Sequence, residues 1–138
     1  ESVKPIIFIA GGTGFAPIKS IIEDMCIKKI KRPIFLYRGV REFSNLYMHN
    51  ICLDWEKSID EFTYIPVSEN KSEDCDDLRI GLVHKFALED LEDLENIQVY
   101  CCGAPGLVEA AFNEFTSKGL PEEEFFADAF TFAPQANN

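Results

Sequence analysis

Ile6-Ile7-Phe8-Ile9-Ala10-Gly11-Gly12-Thr13-Gly14-Phe15-Ala16-Pro17 is the stretch that decides the fold of this chain. An apolar run passes directly into three glycines within four positions, and a helix-patterned segment follows at once. Such a run reads as a buried strand. Glycine at its end permits positive φ and lets a ligand approach the backbone. The helix that follows aims free N–H groups and the positive end of its dipole at the turn, which favours a phosphate. Read alone, the turn is also compatible with an ordinary strand–turn–helix joint. Pro17 stands where the usual dinucleotide fingerprint would continue, so the rest of the chain has to decide.

Outward from this turn, apolar runs alternate with helical patterns, the signature of βαβ units and a parallel sheet. Strands are predicted at 6–10, 34–38, 62–67, 97–102 and 124–127. Helices are predicted over 15–30, 46–58, 82–91 and from Pro105 to Gly119, with 69–80 a charged loop and Ala133–Asn138 a loose tail. Phe15, Ile18, Ile22 and Met25 mark the buried face of the first helix; Met48, Cys52, Trp55 and Ile59 mark that of the second. Pro66 places the third strand near an edge. Right-handed crossovers then give a Rossmann-like, doubly wound five-stranded parallel sheet of order 3-2-1-4-5 flanked by helices. Ligands bind such sheets outside the strand carboxyl ends, where the order reverses. Here that point sets Gly11–Gly14 against Cys102-Gly103 across one crevice.

Length and charge narrow the classes. At 138 residues with 46% hydrophobic content, the chain forms one domain with a real core. A net charge of −11 excludes a nucleic-acid groove. No apolar run approaches a membrane span and no signal peptide is visible, so no membrane insertion is expected. The five cysteines lack C-x-x-C spacing, which argues against a metal or iron–sulfur site and fits a reducing cytoplasm. Cys26, Cys52 and Cys101 sit in apolar patterns and are expected in the core. The chain opens on Glu1, only a few residues before its first strand, which suggests a domain of a longer protein.

Gly11-Gly12-Thr13-Gly14-Phe15-Ala16-Pro17, Leu36-Tyr37-Arg38-Gly39-Val40-Arg41 with Leu46-Tyr47, and Tyr100-Cys101-Cys102-Gly103-Ala104-Pro105 follow one another in this order. Together they resemble the nicotinamide-nucleotide domain of the ferredoxin–NADP reductase superfamily. The ending Phe126-Ala127-Asp128-Ala129-Phe130 is similar to a narrower branch, the NAD(P)H-flavin reductases and CDP-6-deoxy-3,4-glucoseen reductases. The resemblance covers essentially all of 5–132.

The resemblance implies that Gly11, Gly12, Gly14 and the adjoining helix start hold a pyrophosphate. It sets Thr13 near the nicotinamide–flavin contact, although a hydroxyl there also suits a helix cap. It places Cys102 and Gly103 beside the nicotinamide, Cys102 as a small polarisable wall and not a nucleophile, since hydride transfer requires none. Ser68-Glu69 bears on cofactor choice. Relatives that prefer NADP commonly carry an arginine beside the serine. Glu69 would instead repel a 2′-phosphate and accept a ribose hydroxyl, which favours NADH. Arg38 and Arg41 keep NADPH open as holders of an adenosine phosphate. Asp128 and Phe130 match positions where the family chain passes close to the flavin, with Phe130 covering the ring or packing in the core.

The family's flavin-holding β-barrel and its Arg-x-Tyr-Ser motif are absent from 1–138. The expected whole is therefore a larger reductase in which FAD is held mainly by another domain. Hydride passes from NADH to FAD, and electrons pass on to free flavin, an iron–sulfur domain or an acceptor protein. Taken alone, this chain is expected to bind nucleotide and to be nearly inactive. Two other readings stay open: a nucleotide-binding or interaction module without redox chemistry, and a flavodoxin-like electron carrier.

Overall fold

The computed structural model describes residues 3–71 and 78–129. Its elements are β1 (Ile6–Gly11), α1 (Phe15–Ile27), β2 (Ile34–Val40), α2 (His49–Ser58), β3 (Phe62–Ser68), β4 (Arg79–Ile80), α3 (Val83–Asp90), β5 (Gln98–Gly103), α4 (Pro105–Ser117) and β6 (Phe125–Ala129). Short 3-10 turns occupy Gly12–Gly14 and Phe43–Asn45.

All pairings are parallel, and the sheet order is β4-β3-β2-β1-β5-β6. The predicted five-stranded sheet is thereby corrected to six strands. The added strand is β4, a two-residue edge within the stretch read as a loop; it pairs only with Val67 and Ser68. Pro66 thus stands on the part of β3 that has a neighbour on one side only, where a missing N–H costs no ladder bond.

Strand alternation divides the core into two layers. Ile7 and Ile9 of β1 face α3 and α4, packing with Val99, Ala111 and Phe115. Phe8 and Ala10 face α1 and α2, packing with Phe15, Ile18, Ile22, Met25 and Cys52. The predicted buried face of α1 is the observed one. Cys26 is a correction: it is exposed, lying about 100° round the helix from buried Met25. The second helix begins at His49, three residues later than its pattern suggests, because Met48 adopts a left-handed backbone with φ 59°. Among the described residues no helix is long and apolar enough to cross a membrane. The acidic residues Glu73, Asp74, Asp76 and Asp77, Cys75 and the tail from Phe130 onward lie outside the described residues.

Candidate functional site

Chain order reverses between β1 and β5, which are direct neighbours with Ala10 paired to Cys102. One residue further, Gly11 pairs with Gly39 of β2, and a Cβ on Gly103 would lie 3.2 Å from the Gly11 carbonyl oxygen. Three glycines in three adjacent strands therefore leave this level of β2, β1 and β5 without side chains. Helices fill part of that gap. Val83 of α3 rests on Gly39, where a Cβ would come within 2.6 Å of it, and Leu107 of α4 rests on Gly11 and Gly103. Beyond these contacts a crevice of about 500 Å³ stays open.

Gly12 holds φ 56° at its mouth, a conformation that favours glycine, and a Cβ there would meet nothing within 4 Å. Gly14 is the opposite case, since its Cβ would lie 2.1 Å from the Cys102 carbonyl oxygen. The turn is thus pressed onto β5 at Gly14 and open to a ligand at Gly12. No side-chain hydrogen bond caps α1, α3 or α4. Pro17 in the first turn of α1 and Pro105 at the start of α4 carry no N–H, so the donors these ends can offer are the remaining first-turn N–H groups, such as those of Ala16 and Gly106.

Among the predicted site residues, Gly11, Gly12 and Glu69 line the crevice, joined by Arg41. Gly14 and Gly103 shape it through backbone packing. Ser68 does not line it: the residue is fully buried, its hydroxyl donates to the Asn70 carbonyl (2.7 Å) and lies 3.1 Å from the Arg41 carbonyl. Asn70 Nδ2 donates to the same Arg41 carbonyl at 3.0 Å. This knot fixes the loops that present Arg41 and Glu69 at the rim.

Arg38, Cys102 and Asp128 belong to a different row. Register aligns Arg38, Ala10, Cys102 and Asp128 across four strands. Registered neighbours share a face, and this one is the α1–α2 face. Arg38 is only 1% exposed. Its guanidinium sits 3.9 Å over the Phe15 ring and 5.2 Å from Tyr47, and Nη1 donates to the Tyr47 carbonyl at 2.8 Å. The side chain is inside the core, away from the crevice. Burial, then the Asp128 carboxylate, pushes the Cys102 thiol up to about 11. Thr13 lies in the Gly12–Gly14 turn; Phe130 is outside the described residues.

Sequence reading missed His84, a crevice residue that is 6% exposed. No motif marks it, because its place depends on how α3 packs beside α4. The Leu107 and Val83 contacts were also unreadable, although the glycines that receive them were visible.

The oxidoreductase NAD-binding domain family matches residues 8–113. The chain is 39% identical over 130 residues to the CDP-6-deoxy-L-threo-D-glycero-4-hexulose-3-dehydrase reductase of Yersinia pestis, covering 94% of this chain and 39% of that protein. It is 33% identical over 134 residues to a probable flavin reductase of Vibrio harveyi, covering 96% of this chain and 57% of the relative. The crystal structure of the Amycolatopsis cytochrome P450 reductase GcoB superposes with a TM-score of 0.87 at 26% identity, over 96% of this chain and 39% of that one. This chain therefore spans from about two fifths to under three fifths of these proteins. The glycine-floored switch point and the family match lead to one conclusion: the chain belongs to the oxidoreductase NAD-binding domain family.

Proposed function

We propose that this chain is the nicotinamide-dinucleotide-binding part of a flavin-dependent reductase. The observation that carries the reading is the glycine platform of Gly39, Gly11 and Gly103 beneath uncapped helix starts. Only such a surface lets a dinucleotide backbone lie against main-chain N–H groups. Gly11, Gly12 and the start of α1 hold the pyrophosphate, with Gly14 keeping the turn against β5. Cys102 and Gly103 border the nicotinamide, and Thr13, Asp128 and Phe130 are the further residues that the family resemblance assigns to that end. When bound, the dinucleotide supplies a hydride, and FAD held elsewhere in the complete protein is the acceptor. The flavin reductase among the relatives supports that assignment. No protein group needs to act as a base or nucleophile. The chain's part is to bind and orient.

NADH is the preferred cofactor in this reading. Glu69 and Arg41 share the crevice rim. A carboxylate there accepts a ribose hydroxyl and repels a 2′-phosphate. Arg38 takes no part, because its guanidinium is enclosed by Phe15 and Tyr47. Ser68 serves by fixing Arg41 and Glu69 in place.

Titration with NADH and NADPH at matched ionic strength tests both claims. NADH binds more tightly to the native protein, and Glu69→Arg moves the preference toward NADPH by about tenfold, the order of one charge-assisted hydrogen bond. Gly12→Val weakens both, since a β-branched residue is strained at φ 56° and fills the open mouth. Equal affinity for the two cofactors in native and Glu69→Arg protein removes Glu69 as selector. Undiminished binding by Gly12→Val removes the pyrophosphate site.

A further inference from the structure

His84 is the second residue of α3 and lines the crevice at 6% exposure. Its Nε2 lies 3.1 Å from Glu114 Oε2 on α4. Lys85 donates to the other Glu114 oxygen at 2.6 Å. Lys85 and then His84 hold the Glu114 carboxyl below its ordinary range, so Glu114 is an ionised acceptor. An ionised carboxylate only accepts, which makes Nε2 the protonated nitrogen. In the neutral ring the lone pair is then on Nδ1. That atom is buried and has no hydrogen-bond partner among the described residues. Buried polar atoms are rarely left so, and each exception calls for a reason.

The crevice supplies one. The charged groups among its described lining residues are Arg41 and Glu69, and the walls beside His84 are Val40, Leu82, Val83, Leu107 and Ala110. With the pyrophosphate at Gly11 and Gly12, the part of the crevice between the ends of β2, β3 and β4 receives the adenosine half. His84 follows Gly81, Leu82 and Val83 along the crevice wall, next to the Val83 that rests on Gly39 of β2, with its Nε2 toward α4. We propose that His84 Nδ1 is a recognition point for the adenosine half of the dinucleotide, accepting a hydrogen bond from a ribose hydroxyl or the adenine amine. Glu114 and Lys85 act through it by fixing the tautomer. A side-chain adjustment of the size common on ligand binding, pivoting on the Nε2–Glu114 contact, brings Nδ1 to the nucleotide. This rests on the dinucleotide reading of the crevice.

Two substitutions separate recognition from structure. In His84→Asn the side-chain oxygen replaces Nδ1 as acceptor and the Glu114 contact is lost. In His84→Gln the amide keeps a donor for Glu114 and the Nδ1 acceptor is lost. The intact protein and both variants are titrated at pH 8 with ADP-ribose, with nicotinamide mononucleotide, and with the hypoxanthine analogue of NAD. Thermal unfolding checks that each variant is folded. His84→Gln weakens ADP-ribose about tenfold, the order of one hydrogen bond. His84→Asn stays within about threefold of the native protein, and neither changes nicotinamide mononucleotide binding.

If the amine is the donor, native protein binds the hypoxanthine analogue weakly and His84→Gln adds no further loss. If a ribose hydroxyl is the donor, the analogue behaves like NAD. Either pattern supports the proposal. Native-like ADP-ribose affinity in His84→Gln overturns it while leaving the dinucleotide site standing, as does a greater loss in His84→Asn than in His84→Gln. No ADP-ribose binding by the native protein overturns both.

Discussion

Burial is the leading influence on the chemistry of Cys101 and Cys102, adjacent on β5 and both fully enclosed. Burial pushes the Cys101 thiol up to about 12, with Cys102 beside it adding to the rise. For Cys102 the value is about 11, burial again leading and Asp128 contributing. A raised thiol pKa favours the neutral form, and only the thiolate is nucleophilic. Near neutral pH, Cys102 is therefore an inert wall. The sign for stability follows: this contribution is whole below the ordinary thiol range near 8.5 and is lost as the pH climbs toward about 11. Iodoacetamide at pH 8 is expected to label exposed Cys26 and to spare Cys52, Cys101 and Cys102 until urea is added, as read by peptide mass mapping. Rapid native labelling of Cys102 would sink its assignment as a neutral wall. The sequence places Cys102 beside the turn because strand ends and order are readable. It misplaces Cys26 because a helical stripe fixes a face only to within one residue. Arg38 is equally illegible, since a cation at a strand end looks exposed until Phe15 and Tyr47 close over it.

Among the elements, β4 is the one no pattern announces. Two residues carry no periodicity, and charged neighbours make the stretch look like loop. Tertiary contacts hold it instead. Arg79 Nη1 donates to Asp90 Oδ2 at 2.6 Å, and the Tyr37 hydroxyl donates to the same oxygen at 2.8 Å. Burial and the Asp90 carboxylate raise the Tyr37 pKa, so the phenol remains a donor. Arg79 also lies 5.4 Å over the Phe86 ring. Asp90 ends α3, so these bonds tie β4 to the helix that presents Val83 and His84 to the crevice. The ion pair is half-exposed and contributes about 1 kcal/mol or less. Arg79→Ala should therefore leave global stability nearly unchanged while loosening the edge. Hydrogen exchange at the Gly81 N–H, which donates to the Ser68 carbonyl at 2.8 Å, is expected to quicken severalfold. Exchange in β1, at the sheet centre, stays at the native rate. Unchanged exchange at Gly81 would mean that Val67 and Ser68 hold β4 without Arg79.

The whole molecule presents a paradox of charge. It carries −11, yet it is read as binding a dinucleotide whose pyrophosphate is anionic. Strand order and the glycine turn were legible because period and punctuation encode them. The means of holding an anion was only partly so, since no lysine motif exists to be found. On that reading geometry holds the anion: a glycine floor and uncapped helix starts offer oriented N–H dipoles, and among the described residues that line the crevice Arg41 is the one permanent cation, offset by Glu69 at the same rim. Sites built on lysine lose affinity steeply with salt as screening removes the Coulomb attraction. A site built on short-range N–H bonds has little such attraction to lose, and salt also screens the repulsion from the rest of the acidic surface. NADH affinity is therefore expected to change less than about threefold between 20 and 200 mM sodium chloride, as the Debye length falls from about 20 Å to below 10 Å. A calorimetric series at fixed pH reads this directly. A tenfold loss over that range would place the phosphates on side-chain cations, and the glycine turn would then be a structural joint whose ligand lies elsewhere.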